Sequence, residues 1–377
     1  MRSSALIIAL ACSGCVGGEK IRPPDAGSDA GSDAGEQSED AGPPKPLDTI
    51  FSIGVLDNSG GIPQSAPLVG LLFEQGVHGP SVVVAKRVAT PPTLDGVASD
   101  WVGLPESMVP LLTRGGAVGM SQAEWDQECA ALYGRTMLYD FGIPTVAVRA
   151  AYDSERIYFL LQWADPSENR ERDTWFVDGG TWVRSRANED RATLGFDIGA
   201  STPAFQAIGC SGACHLNERI GDVSDAGRAY RTRMHTNQQG EVLDIWTWRA
   251  ATTDPMRAAD DGYIDEISRK ADGTADWIVQ NQVTLDGGLV VPAFMSAMGV
   301  NANPPWLMKP DAGPGTVPFD GTGALPTARL PGWLMQKASP NRDDVSAVGR
   351  WAGGYWTVEL SRALTTADPR DVQFPLR

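Results

Sequence analysis

Between Thr145 and Trp163 the chain alternates apolar with polar or small residues, stops, and alternates again. Thr145-Val146-Ala147-Val148-Arg149-Ala150-Ala151-Tyr152 breaks at Asp153-Ser154, and the pattern resumes from Ile157 to Trp163. A period of two puts every second side chain on one face, and Asp-Ser supplies turn chemistry, so the stretch predicts an antiparallel hairpin. Shorter runs at 81–85 and 192–198 predict further strands. After Gly353-Gly354, residues 355–360 predict another, with Trp356, Val358 and Leu360 on one face. Helical periodicity is weak. Only residues 122–133, with Ser121 as N-cap, make a helix candidate. Plentiful Gly (42), Pro (27) and Trp (12) suit a loop-rich β protein better than a helical bundle. The expected fold class is all-β: an antiparallel, immunoglobulin-like β-sandwich with long loops and a few short helices.

Three stretches divide the chain: 1–15, 16–48 and 49–377. In the first, Arg2 precedes an apolar run over residues 5–11, then Ala11-Cys12-Ser13-Gly14-Cys15. The run is too short for a spanning helix, which needs roughly 20 residues, and has the layout of an export signal. Small residues before a cysteine resemble a bacterial lipobox. Cys15 is the acylation candidate, because cleavage before Cys12 would leave a very short signal; an ordinary signal peptide with incidental cysteines is the alternative. Residues 16–48 repeat Asp-Ala-Gly and Ser, cannot pack a core, and read as a disordered acidic tether. They lack the spacing of a calcium loop. Residues 49–377 are expected to form one domain, placed on the periplasmic or outer-surface side of the cell envelope. The formal net charge of −16 makes nucleic acid and anionic membrane surfaces poor partners.

The chemistry-bearing segment is Gly209-Cys210-Ser211-Gly212-Ala213-Cys214-His215. Covalent haem attachment needs two thiols for the vinyl groups and a histidine beside the second thiol for the iron. The usual spacing is Cys-x-x-Cys-His; here one residue is inserted. A disulfide between Cys210 and Cys214, with His215 an ordinary surface residue, is the competing reading. Zinc is disfavoured because no second ligand pair stands at suitable spacing. Cys129 is left as a lone thiol, read as buried. The only other histidines are His78 and His235.

Further segments carry a resemblance. Pro92-Thr93-Leu94-Asp95-Gly96 with Asp100-Trp101, the stretch 146–165, Asn188-Glu189-Asp190-Arg191 before Gly195-Phe196-Asp197-Ile198, and Asp244-Ile245-Trp246-Thr247-Trp248-Arg249-Ala250 occur in that order. Asp260-Asp261-Gly262-Tyr263 and a closing strand with Arg362 and Leu364 follow. This order resembles the haem-binding domain related to the ethylbenzene dehydrogenase gamma subunit, within a wider group of DOMON-like and family-9 carbohydrate-binding sandwiches. The resemblance spans roughly residues 80–375. It implies haem c held by a sandwich and used in electron transfer, with a molybdenum oxidoreductase or a respiratory cytochrome as redox partner.

On that reading Cys210 and Cys214 carry the thioethers and His215 is the proximal iron ligand. Met234 is the opposite ligand, with His235 the alternative and core filling the bland reading of Met234. Trp246 and Trp248, two apart on one strand face, either pack the core or line the haem pocket. Arg249 stands where the family usually shows lysine, and is suited to a propionate rather than to iron. Asp244, Asp260 and Asp261 read as turn and surface residues. No nucleophile elbow, phosphate loop or nicotinamide fingerprint appears, so the chain is not expected to be an enzyme by itself. The alternative function is a carbohydrate- or surface-binding sandwich, with tryptophans stacking on sugars. The stretch 301–330 aligns with nothing in the pattern.

Overall fold

A computed structural model of the chain describes residues 52–55, 68–72, 82–110, 145–165, 167–185, 189–203, 205, 213, 234–302, 305–321 and 327–376. The leader, the tether, the 122–133 helix candidate, His78, Cys129, Cys210, Cys214 and His215 lie outside these residues.

The alternating stretch forms the hairpin it predicts. Thr145–Tyr152 and Arg156–Ala164 pair antiparallel, from Val146 opposite Trp163 to Tyr152 opposite Ile157. Asp153 closes the turn: one carboxylate oxygen accepts the backbone N–H of Glu155 and of Arg156, both at 2.7 Å, and the other accepts the Tyr158 hydroxyl at 2.8 Å. Tyr355–Ala363 lies along the far side of Arg156–Ala164, and Ser346–Ala352 follows it. On the near side Thr145–Tyr152 takes Val82–Arg87, then Leu68–Leu72, with Ser107–Pro110 also paired to it, completing a seven-stranded sheet. A second sheet holds Ser52–Val55, Arg191–Asp197, Leu243–Arg249, Asp260–Ile264 and Arg269–Ala271, in that spatial order.

The expected all-β sandwich is therefore the fold, and no helix reaches seven residues among the described ones. Antiparallel pairing has two exceptions within the two main sheets, and Leu307–Met308 is also parallel to Trp333–Met335 in a satellite sheet. Ser52–Val55 runs parallel to Arg191–Asp197, and Val82–Arg87 runs parallel to Thr145–Tyr152. Parallel neighbours need a crossover of a dozen or more residues, and each of these pairs is separated by a long interval of chain. The stretch 301–330 contributes short satellite strands: Leu307–Met308 beside Trp333–Met335, Thr316–Pro318 beside Phe294–Ser296, and Arg329–Leu330 beside Trp175–Asp178.

Between the two main sheets, Val146, Phe159, Trp163, Trp356, Val358 and Leu360 from one face Ala192, Leu194, Phe196, Trp246 and Trp248 from the other. Burying each such side chain contributes roughly 1.5–3 kcal/mol. Trp356 stacks on Trp163 at 6.1 Å and meets Trp248 edge-on at 4.9 Å. Gly349 leaves room for this packing, since a Cβ there would stand 2.1 Å from Cζ2 of Trp248. Gly349→Ala is expected to cost about 1–3 kcal/mol by overpacking, read as a lower urea midpoint at unchanged slope.

The Leu-Asp-Gly…Trp segment has a structural job. Buried Glu359 accepts hydrogen bonds from the backbone N–H of Asp95 and Gly96 at 2.8 and 2.6 Å, and from the Trp101 indole at 2.7 Å. Gly96 sits at φ +77, where a Cβ would lie 2.6 Å from that of Arg350. Glycine there satisfies both the left-handed backbone and the close approach.

Candidate functional site

Leu243–Arg249 runs through the middle of the five-stranded sheet, and its pleat sends alternate side chains to opposite faces. Asp244, Trp246 and Trp248 face inward. Leu243, Ile245, Thr247 and Arg249 face outward. At one end of this outer face, Leu243, Ile245, Ile264, Phe205 and Ala213 form a buried apolar cluster, and Met234 packs against it. The backbone N–H of His235 donates to the carbonyl of Ala213 at 3.1 Å. Met234 and His235 are thus brought beside the residue that immediately precedes Cys214-His215 in sequence. His235 is buried, and its Nδ1 lies 2.7 Å from the carbonyl oxygen of Thr236. A carbonyl only accepts, so Nδ1 carries a proton and donates it there.

At the other end the face turns cationic. The pairing register sets Arg191 directly opposite Arg249. Arg269, paired with Ile264, reaches back to donate to Thr247 at 2.7 Å. Arg172 and Arg342 close the group from outside the sheet: Arg172 meets Glu189 at 3.0 Å, and Arg342 grips Asp260, with its second bond at 3.2 Å. Among the described residues Arg249 makes long ion pairs, 3.9 Å to Glu189 and 4.0 Å to Asp260. Its buried Nε has no hydrogen-bond partner among the described residues. Five guanidiniums thus gather around three carboxylates, buried Glu189, half-buried Asp260 and exposed Asp276, which Arg342 meets at 3.0 Å. Burial, with Arg172 beside it, draws the Arg249 guanidinium below its ordinary value. Burial and the neighbouring Arg249 pull Arg269 down to about 9. A surplus of positive charge in a partly desolvated place favours an anion.

Along one strand, about 13 Å of backbone from Ile245 to Arg249, the outer face passes from apolar to cationic. The four strands that carry this face, between Arg191 and Ala271, and Glu359 itself fall in a region matched by a protein-family model. The match runs over residues 98–377 and is to the family described as ethylbenzene dehydrogenase. The chain belongs to the ethylbenzene dehydrogenase family. No curated protein matches it.

In this ethylbenzene dehydrogenase family member, Trp246 and Trp248 sit fully buried between the sheets, on the face opposite Met234. Trp246 packs on Phe196 and Phe159; Trp248 packs on Trp163 and Trp356 and donates its indole N–H to Asp254 at 2.8 Å. Of the two roles open to them, core packing is the one that the pleat supports. Neither indole offers a surface for a sugar.

Two expectations for the acidic residues fail. Asp244 and Asp261 are completely buried rather than at surface turns, and Asp260 lies inside the arginine group. Asp244 and Asp261 point inward from adjacent strands and meet Arg362, which comes from the opposite sheet. Its Nη1 is 2.8 Å from Asp244, 3.4 Å from Asp261 and 3.7 Å from Asp371. The Arg362 guanidinium also lies 4.5 Å over the Trp246 ring and donates to the Val372 carbonyl. Burial raises Asp244 despite Arg362, and burial with Asp244 nearby pushes Asp261 well up.

Sequence reasoning singled out Arg249 but missed Arg172, Arg191, Arg269 and Arg342. The available signal was parity. Arg191 and Arg249 occupy the strand positions that continue the outward-facing rows ending in Asp197 and Leu243.

Proposed function

We propose that this chain is an exported, lipid-anchored c-type haem protein that relays single electrons as a partner or subunit of an oxidoreductase of its family. The observation that carries the reading is the outer face of the five-stranded sheet. A haem has an apolar macrocycle and two carboxylates at one edge, and this face offers an apolar patch beside Ala213 and an arginine group at its far end. The buried Nε of half-buried Arg249, without a hydrogen-bond partner among the described residues, is a donor that fits a propionate. Bound haem would supply a one-electron couple at its iron.

The chain's own residues hold it in defined parts. Cys210 and Cys214 are the thioether positions, and His215 is the proximal ligand. Met234 is the opposite ligand, and Arg249 with Arg269 takes the propionates. Trp246 and Trp248 fill the core behind the face, keeping water from its underside. Lipid on Cys15 and the acidic tether would leave the domain free to meet a molybdenum oxidoreductase or a respiratory cytochrome on the periplasmic or outer-surface side.

The test is the full chain exported from a host that matures c-type cytochromes. The mature polypeptide should gain the mass of one haem and show oxidised and reduced visible spectra of the c type. The colour should survive acid-acetone extraction, and Cys210→Ser with Cys214→Ser should make it extractable. A mature polypeptide without that added mass ends the reading. The opposite ligand is tested separately: Met234→Ala should lower the reduction potential, because thioether ligation raises it. If His235→Ala moves the potential and Met234→Ala does not, the ligand is His235.

A further inference from the structure

The inner-face acid cluster continues past Arg362 to the edge of the sandwich. Asp244, Asp261, Asp272, Asp344, Asp368 and Asp371 gather there, and among the described residues the guanidiniums that ion-pair with them are Arg362 and Arg370. The two arginines are used differently. Arg362 is fully buried and serves Asp244, Asp261 and Asp371. Arg370 stands at the rim, 37% exposed, with Asp368 clasping it by two hydrogen bonds of 2.9 and 2.6 Å. It reaches Asp272 only as an ion pair of 3.5 Å.

Asp272 is the anomaly. It is completely buried, and neither of its oxygens accepts a hydrogen bond among the described residues. The Oδ1 of Asp371, 1% exposed, likewise has no hydrogen-bond partner among the described residues. Buried carboxylates are ordinarily hydrogen-bonded, paired or on a metal. Oxygens of Asp272, Asp368 and Asp371 all lie within 4.8 Å of one another. Two oxygens on one calcium ion, each at about 2.4 Å, can be no more than about 4.8 Å apart.

We infer that Asp272, Asp368 and Asp371 bind a hard divalent cation of the calcium class at the edge of the sandwich. The donors are all carboxylate oxygens, which excludes the soft and imidazole-preferring metals. They come from two segments: Asp272 directly follows the Arg269–Ala271 strand, and Asp368 and Asp371 belong to the chain after the Tyr355–Ala363 strand. An ion there would pin the edge of the five-stranded sheet to the end of the chain. Calcium suits this better than magnesium, because it takes oxygens at variable geometry, whereas magnesium demands a near-ideal octahedron and gives up its waters reluctantly. The site lies inside the sheet pair, away from the Met234 face, and does not depend on haem.

The full chain, treated with EDTA and then dialysed, is melted with and without calcium. Calcium at about 100 times its dissociation constant is expected to raise the melting temperature by about 5 °C. Magnesium at the same ionic strength should do much less. Terbium is the second probe: Tyr263, whose ring lies 4.6 Å from the Arg370 guanidinium, is near enough to sensitise its emission. Asp272→Asn and Asp368→Asn should each abolish the calcium shift and the terbium emission, while exposed Asp311→Asn should keep both. If Asp272→Asn does not fold, the calcium response of the unaltered chain and Asp368→Asn decide. No response to calcium and no terbium emission overturn the site, as does a shift that magnesium reproduces or one that survives Asp272→Asn.

Discussion

Replacing Arg362 by methionine is expected to lower folding stability by about 3–5 kcal/mol, the loss seen when one member of a buried charge group is removed. Arg362 is the only guanidinium within ion-pair distance of Asp244 and Asp261 among the described residues, and all three side chains are completely buried. Methionine keeps the volume over Trp246 but leaves the carboxylates without their counter-charge and Val372 without its donor. The deficit should appear as a lower urea midpoint at unchanged slope. Adding Asp244→Asn and Asp261→Asn to Arg362→Met should return part of it, because the uncompensated charge is then gone. A loss within about 0.5 kcal/mol, the range of an unimportant surface change, would mean that Arg362 is not the group neutralising the inner face.

Much of the fold was legible because its signals are local. The hairpin at 145–164 carries its own alternation and its own Asp153 turn. The parity of Trp356, Val358 and Leu360 named the buried face of a central strand, and the Leu-Asp-Gly…Trp segment marked a loop later seen tied to Glu359. What stayed hidden depends on register between distant strands. Asp261 looks like a turn residue until pairing sets it opposite Trp246, inside the sandwich. The same holds for Arg191 and Arg249, far apart in sequence and directly opposite in the sheet. Two tryptophans two positions apart, Trp246 and Trp248, allowed either a core or a pocket wall, and only the sheet packing that buries both between the layers distinguishes the two. Met234 is the instructive middle case. Family order alone placed it near the Cys-His segment, and the structure puts its neighbour His235 in hydrogen-bond contact with Ala213.

Arg249→Gln combined with Arg269→Gln should have opposite effects on the haem-free and haem-loaded chain. Without haem, the pair adds two half-buried positive charges to a group in which five guanidiniums face three carboxylates. Like charges facing each other across strands are destabilising, and the lowered Arg269 value records the same strain. Neutralising both should therefore hold or raise the urea midpoint. With haem, each arginine is assigned a charge-assisted bond worth about 1.5–3 kcal/mol. The cleanest background is Cys210→Ser with Cys214→Ser, where no thioether masks a change in hold. There, losing both bonds should weaken haem binding by about 10²–10⁴-fold, since each 1.4 kcal/mol is tenfold. An apolar patch alone would accept the macrocycle in either orientation. The arginine group would break that symmetry by fixing which edge points toward Arg249. A double glutamine variant that loses stability when haem-free, yet holds haem as tightly as before, would make the arginines structural ties of Glu189 and Asp260 and remove the propionates from this face.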